Sequence, residues 1–270
     1  MIELGIVSDE ICPDFREAVA LGMSWGLTRY EIRCVKSGRV PAIDRAEWED
    51  ILACVKEHQL SITALSPGIF KHQISKKVEI TRELEETLPA TIAMAKECSC
   101  PLVIVFGLQR EKNEPPQHYH DVLDILRRAA VVAQKDNIRL AIENEPGFWC
   151  DTGANTARII HDVNVPSLGA NWDPANAYGT DERAFPEGYE ALKPHIVNVH
   201  AKDTLKGSLI ECVPVGEGCI DWKGQVAALE RDAIVGHITI ETHCHPLVEQ
   251  SWKNIQRLRE YFTVSPGAPV

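Results

Sequence analysis

The sequence predicts an α/β protein that folds as a single (β/α)8 barrel, also called a TIM barrel. Short apolar segments alternate with longer helical segments along the whole chain. The 270 residues divide into eight units of about 34 residues, close to the roughly 30 that a strand and its crossover helix require. The first strand leads into SDEICPD and not into the Gly-rich phosphate loop that is typical of an open doubly wound sheet.

The predicted strands are continuously rich in Val, Ile and Leu, which is typical of parallel strands covered by helices on both faces. They are predicted at residues 2–8, 29–33, 61–66, 101–107, 139–144, 167–173, 195–201 and 237–243. Helices are predicted where apolar residues recur at helical spacing. These segments are residues 14–25, 44–58, 79–98, 117–136, 152–163, 222–232 and 249–262.

One segment, residues 206–222, departs from this alternation. Its SLIECVPV core, flanked by glycines, predicts a loop or hairpin inserted after the seventh strand, on the rim where barrel active sites form. No linker or repeat interrupts the rest of the pattern. We therefore expect one domain over residues 1–264 and a loose C-terminal tail at 265–270.

Composition limits the classes of function. A formal net charge of −11 repels phosphate backbones and anionic lipids, so we expect neither a nucleic acid nor a membrane partner. The N-terminus does not resemble a secretory signal, and no segment approaches the roughly 18 apolar residues of a membrane span. The nine cysteines are odd in number and scattered, which favours free thiols in a reducing cytoplasm.

Four acid or imidazole side chains stand at the ends of four consecutive predicted strands. They are Glu143, Asp173, His200 and Glu241, which close the fifth to eighth strands. In a barrel of this type the carboxyl ends of the strands meet at one rim, so these side chains are expected to converge. Three carboxylates and one imidazole form a ligand set for a divalent cation.

Each of these residues also has a structural interpretation. A glutamate after a strand can cap a helix, Asp173 before Pro174 can start a turn, and a lone histidine can be a core residue. Three carboxylates in one half-buried pocket need positive charge, however. The alternative to a metal is an ion-pair network, for which Lys202 and Arg33 are the basic candidates at this rim.

The motifs ENEPG, WDPAN, VHAKD, VGEGCIDW and IET, in this order, resemble the sugar phosphate isomerase/epimerase family of xylose isomerase-like TIM barrels. The resemblance covers essentially the whole chain. It implies that Glu143, Asp173, His200 and Glu241 bind one divalent metal, commonly manganese, with magnesium, cobalt or zinc as alternatives. The family also contains dehydratases and, more distantly, DNA repair enzymes. Those repair enzymes carry a histidine three residues after the aspartate, as epimerases typically do, whereas this chain has Asn176.

The resemblance implies a reaction on a sugar, keto-sugar or related polyol. A metal that coordinates a carbonyl and the adjacent hydroxyl stabilises the enediolate formed when a carbon-bound proton leaves. Glu143 and Glu241 are then expected to be catalytic, as acid and base on opposite faces of the substrate. We expect an isomerase or epimerase. The alternatives are a dehydratase, in which a β-hydroxyl leaves, and a protein that binds metal or sugar without turnover.

Further residues are candidates for substrate binding. They are Asn176, Lys202, Glu217 in the VGEG loop, His243 and Trp149, the last as an apolar wall for a sugar ring. Phe148, Arg33, Glu10 and Lys71 are weaker candidates. The expected partner is a small-molecule sugar or polyol, and a homo-oligomer is left open by the sequence.

Overall fold

Eight parallel strands close into a barrel in the computed structural model, which describes residues 2–205 and 211–263. Numbered here in chain order, the strands are β1 Glu3–Val7, β2 Arg29–Ile32, β3 Ser61–Leu65, β4 Leu102–Phe106, β5 Arg139–Glu143, β6 Leu168–Trp172, β7 Ile196–Ala201 and β8 His237–Ile240. Neighbours in sequence pair with one another, and β1 closes the barrel against β8 with Glu3 opposite His237. The predicted (β/α)8 barrel is therefore confirmed.

Helices cover the outside of the barrel. The principal ones are Phe15–Ser24, Arg45–Glu57, Lys77–Arg82, Leu88–Glu97, His118–Lys135, Gly153–Val163, Trp222–Asp232 and Leu247–Thr263. A π-helical stretch, Glu83–Thr87, joins the third and fourth of these into one helical segment, where the sequence predicted a single helix. Two short helices, Pro174–Ala177 and Tyr189–Leu192, lie between β6 and β7. No helix within the described ranges is long and apolar enough to cross a membrane.

Apolar side chains pack in two places. A large cluster fills the layer between the barrel and the helices, with Trp48, Trp172 and Trp222 almost completely buried. A small cluster of Ala64, Leu102, Ile104 and Ala141 packs against Val197. Because side chains two residues apart on a strand share a direction, Ala141 lies below Glu143, and this small cluster forms the floor beneath the barrel mouth.

A short antiparallel ladder follows β7, at the position of the predicted insertion. Asp203–Thr204 pairs with Cys212–Val213. The connecting residues 206–210 lie outside the described ranges, as does the predicted tail at 265–270.

The VGEG segment folds around the buried carboxylate of Asp203. This carboxylate accepts hydrogen bonds from the backbone N–H groups of Gly216, Gly218 and Ile220. A Cβ atom on Gly218 would lie 2.2 Å from Asp203 Oδ1, so only glycine permits this approach. The aspartate that ends the VHAKD motif therefore organises the loop.

Strand β8 is shorter than predicted. We expected it to run to residue 243, but it ends at Ile240. His243 has a left-handed backbone, with φ of 51°, and its N–H donates to Glu10 Oε2 at 2.8 Å. The position of His243 is therefore set by this contact with Glu10 and not by strand alternation, because the chain has already left the strand after residue 240.

Candidate metal centre and active site

The four residues predicted to bind metal meet at the carboxyl end of the barrel. One ligand atom from each of Glu143, Asp173, His200 and Glu241 lies within 4.8 Å of the others, and all four side chains are buried. Glu143 ends β5, Asp173 and Glu241 directly follow β6 and β8, and His200 lies in β7.

A one-residue irregularity in β7 sets the direction of His200. Ala170 pairs with Ile196, but Asn171 pairs with Asn198, so β7 carries one extra residue opposite β6. Asn198 Nδ2 donates to Asn171 Oδ1 at 3.0 Å, which shows that both side chains share the barrel interior. His200 stands two residues further along and therefore points toward the mouth.

Asp173 is held by its backbone and by one of its two carboxylate oxygens. Asn144 and Asp173 exchange two hydrogen bonds, from Asn144 Nδ2 to Asp173 O at 2.8 Å and from Asp173 N to Asn144 Oδ1 at 2.9 Å. Asp173 Oδ1 caps the next helix by accepting from Ala175 N and Asn176 N. Oδ2 remains directed into the site, 2.7 Å from Lys202 Nζ. Asp173 therefore caps the helix with Oδ1 and faces the candidate metal site with Oδ2, so the two interpretations of this residue are compatible.

His200 presents one ring nitrogen to the carboxylates. Its Nε2 lies 2.9 Å from Glu31 Oε2, and the acceptor there fixes the proton on Nε2. Nδ1 has no hydrogen-bond partner and lies 3.8 Å from Glu143 Oε2 and 3.6 Å from Glu241 Oε2. A buried, unpaired nitrogen backed by a carboxylate is the usual arrangement of a metal-binding histidine.

Glu143 has a strongly perturbed acidity. Asn171 Nδ2 and Asn176 Nδ2 donate to its two oxygens, at 3.3 Å and 3.2 Å. Burial, together with repulsion from Glu241, raises the pKa of Glu143 to about 7. The carboxyl group is therefore close to equal populations of its acid and base forms near neutral pH.

Glu241 is perturbed in the opposite direction. Burial acts to raise its pKa, but Lys202, His243 and His200 together hold the pKa of Glu241 well below its usual range. Lys202 Nζ lies 3.0 Å from Glu241 Oε2, and Arg33 Nη1 lies 2.9 Å from Oε1. Glu241 is therefore a carboxylate at neutral pH.

These observations fit a divalent cation. The donor set is three carboxylates and one imidazole, whose Nδ1 has no hydrogen-bond partner and faces the acids. Both basic residues expected for the ion-pair alternative, Lys202 and Arg33, do contact this cluster. The cluster is buried and acidic enough that it could hold a divalent metal.

A cavity of about 410 Å³ opens above the cluster. Among the predicted substrate-binding residues, Asn176, Lys202 and His243 line this cavity with Glu143 and Glu241. Its wall also includes Arg33 and Lys71, two of the weaker candidates. Glu10 lies behind His243, with Oε1 2.8 Å from His243 Nδ1.

Two predicted substrate-binding residues lie elsewhere. Trp149 is buried and packs against Tyr119 and under the guanidinium of Arg110, so it lines a separate surface depression. Glu217 is exposed in the VGEG loop and is not part of the cavity wall. The aromatic residue that does line the cavity is Phe106, at the end of β4.

Sequence reasoning missed two important residues. Glu31, next to last in β2, is the acceptor for His200, and Arg39 lines the cavity. The signal for Glu31 was an acid inside a strand that is otherwise buried on both faces. Arg39 has no such signal, because it lies in a two-residue antiparallel ladder after β2, where Cys34–Val35 pairs with Gly38–Arg39.

Comparisons with known proteins agree with this geometry. Residues 17–261 match the family described as xylose isomerase-like TIM barrels. A comparison with curated proteins found no significant match.

Solved structures share the fold at low sequence identity. The probable 3-DHS dehydratase AsbF from Bacillus anthracis has a TM-score of 0.80 and 18% identity, over 96% of this chain and 99% of that protein. D-Allulose 3-epimerase from Methylomonas sp. has a TM-score of 0.76 and 16% identity, over 96% and 98%. The IOLI protein with a bound zinc atom has a TM-score of 0.78 and 17% identity, over 97% of both chains.

The family match spans most of the chain, and the closed barrel and the acid-and-histidine cluster at its mouth agree with it. This protein belongs to the family of xylose isomerase-like TIM barrels.

Proposed function

We propose that this protein is a divalent-metal-dependent isomerase or epimerase that acts on a sugar, keto-sugar or related polyol by proton transfer. Glu143, Asp173, His200 and Glu241 would hold the metal, with manganese as the first candidate. Relatives in fold include a sugar epimerase and a probable dehydratase, which supports the enzyme class and not the substrate.

The observation that carries the proposal is the opposite acidity of Glu143 and Glu241 in one cluster. Burial and mutual repulsion raise the pKa of Glu143 to about 7, whereas Lys202 and the neighbouring histidines keep Glu241 ionised. Two carboxyl groups whose environments separate their pKa values are typical of an acid and base pair. Such a pair suits removal of a proton from one face of a carbon and its return on the other.

A bound divalent cation would supply positive charge that stabilises the enediolate form of the substrate. The residues of the chain do the remaining work. Asn176 Nδ2, 3.2 Å from Glu143 Oε1, orients the carboxyl group that exchanges the proton. Lys202 and Arg33 hold the Glu241 carboxylate in place on either side.

One observation favours a dehydratase as the second candidate. Lys202 Nζ is buried at the cavity wall, and its carboxylate neighbours hold the pKa of Lys202 well above its usual range, although burial acts to lower it. A permanently charged ammonium group in this position can stabilise the negative charge that develops on a departing β-hydroxyl. The proton-abstraction step would be shared with the isomerase.

Solvent-isotope exchange tests the proposal. The manganese-loaded protein is incubated in deuterated water with a panel of D-allulose, D-fructose and D-tagatose, and with a cyclic keto-polyol. Label should enter the carbon beside the carbonyl, as followed by proton NMR. Loss of water with formation of an unsaturated ketone would instead identify the dehydratase.

Variants connect this exchange to the two glutamates. Glu143→Gln and Glu241→Gln, each at saturating manganese, should slow exchange by at least about 100-fold, the contribution typical of one acid or base. Glu85→Gln, on an exposed helical surface, serves as the matched control and should leave the rate unchanged. Metal binding without exchange of any panel member would favour a protein that binds without turnover, and near-wild-type rates in both variants would exclude the assigned roles.

A further inference from the structure

Arg39 lies in the wall of the active-site cavity without an acidic partner. Its Nε donates to the carbonyl oxygen of Ser66 at 3.1 Å, which fixes the guanidinium. No carboxylate of the described residues lies within 4.0 Å of it, and neither Nη nitrogen has a hydrogen bond within those ranges. The other cavity arginine, Arg33, contrasts with it, because Arg33 is neutralised by Asp9, Glu10 and Glu241.

Gly68 allows the guanidinium of Arg39 to lie close against the backbone in the cavity wall. Gly68 has φ of 75°, and a Cβ atom there would lie 3.0 Å from Arg39 Cζ, so a larger residue would crowd the guanidinium. Lys71 also lines the cavity, with Nζ 3.7 Å above the ring of Phe106 and 2.8 Å from Glu145 Oε2. The charge of Lys71 is therefore partly neutralised by Glu145, whereas the charge of Arg39 is not neutralised by any carboxylate of the described residues.

These residues lie across the barrel mouth from the candidate metal centre. The four candidate ligands come from β5 to β8, whereas Arg39 follows β2, and Ser66 and Lys71 follow β3. In the closed strand order, β2 stands opposite β6 and β3 opposite β7. A substrate that reaches from the metal centre across this cavity would place its far end at Arg39.

We propose that Arg39, assisted by Lys71, binds an anionic group of the substrate, either a carboxylate or a phosphate. Guanidinium groups bind both anions through paired N–H donors, and here both Nη nitrogens are available while Nε is already fixed. The inference rests on the proposed function, since it assigns the substrate of that site to the acidic or phosphorylated polyhydroxy compounds. A neutral sugar would leave the charge of Arg39 unmatched in the cavity.

The test compares three ligands that share one carbon skeleton. D-Sorbitol is neutral, D-gluconate carries a carboxylate, and sorbitol 6-phosphate carries a phosphate. Binding is measured by calorimetry on the manganese-loaded protein. At least one anion should bind about ten-fold or more tightly than sorbitol, as expected for one charge-assisted contact, and the preferred anion identifies the chemistry.

Variants show which residue is responsible for the preference for the anionic ligand. Arg39→Gln should abolish it, and Lys71→Met should weaken it less, because Lys71 already pairs with Glu145. Arg110→Gln, at the separate depression beside Trp149, is the matched control and should retain it. An equal affinity for all three ligands in the wild type, or a preference that survives in Arg39→Gln, would overturn the proposal.

The metal-deficient variant Asp173→Asn separates this proposal from the proposed function. The anion preference should persist in it, because Arg39 belongs to the opposite side of the mouth. If Asp173→Asn lost the preference for the anionic ligand while Arg39→Gln kept it, the anion would bind at the metal centre. That result would contradict the proposal. Absence of isotope exchange in the wild type, with an intact preference, would contradict only the proposed reaction.

Discussion

His200 and Glu31 form a buried pair across the barrel, with Nε2 of the imidazole 2.9 Å from Oε2 of the carboxylate. Glu31 lies inside β2 and is fully buried, so its carboxylate faces His200 and not solvent. The pair fixes the tautomer that leaves Nδ1 free for the acidic cluster. Glu31 on β2 thus orients His200, a candidate metal ligand on β7.

Glu31→Gln tests this relationship. Glutamine keeps an acceptor but loses the negative charge, so we expect manganese to bind about 10- to 100-fold more weakly, as is typical when the partner of a ligating histidine is removed. Calorimetric titration measures the affinity, and nitrogen-15 NMR of the imidazole reports the tautomer. An unchanged affinity together with an unchanged tautomer would show that Glu31 has only a packing role.

Removal of a ligand should remove the metal. We expect His200→Ala to lose tight manganese binding, because it deletes one donor from a four-member set, and Asp173→Asn to weaken binding severely, because it removes the negative charge of another. Metal content after dialysis, measured by mass spectrometry, checks this result. His161→Ala is the control, since its imidazole is 82% exposed on an outer helix and should not affect the metal.

His237, at the start of β8, predicts a pH dependence of stability away from the metal centre. Burial, with Arg29 nearby, lowers the pKa of His237 to about 4. The folded state then keeps this imidazole neutral, while the unfolded state binds a proton below about pH 6.5. Stability is therefore lost as the pH falls from about 6.5 toward 4.

The corresponding measurement uses His237→Gln and urea denaturation at pH 7 and pH 5. The wild type should lose up to about 2 kcal/mol more than the variant over this interval, because each pH unit between the two pKa values costs at most about 1.4 kcal/mol. Comparison with the variant cancels the titration of the other groups. Equal losses in both proteins would show that His237 is not held neutral by the fold.

Gly153, at the start of an outer helix, packs so closely against the backbone of Gly188 that there is no space for a side chain. A Cβ atom there would lie 2.2 Å from the carbonyl oxygen of Gly188, and neither backbone can move independently of its helix. We expect Gly153→Ala to lower the free energy of unfolding by about 1 to 3 kcal/mol, the usual cost of overpacking. Gly236→Ala is the control, because no atom lies within 4 Å of its added Cβ, and it should change stability by less than about 0.5 kcal/mol.

The sequence by itself determined the barrel and the acidic cluster. Both depend on local patterns: apolar runs specify eight strands, and an acid or histidine near the end of each of the last four strands must reach one rim once the strands are parallel. Strand ends were predicted to within a few residues. The largest difference is at the end of β8, where the N–H of His243 donates a hydrogen bond to Glu10 and the chain leaves the strand.

Only the tertiary structure decided which other residues surround that cluster. Glu31 and Arg39 reach the mouth because closure of the barrel sets β2 opposite the strands of the candidate ligands, a relationship absent from local sequence. Loop conformation likewise directs Trp149 to a separate depression and leaves Glu217 exposed. Strand positions follow from periodicity, which is local, whereas the contents of a cavity follow from chain segments distant in sequence that only folding brings together.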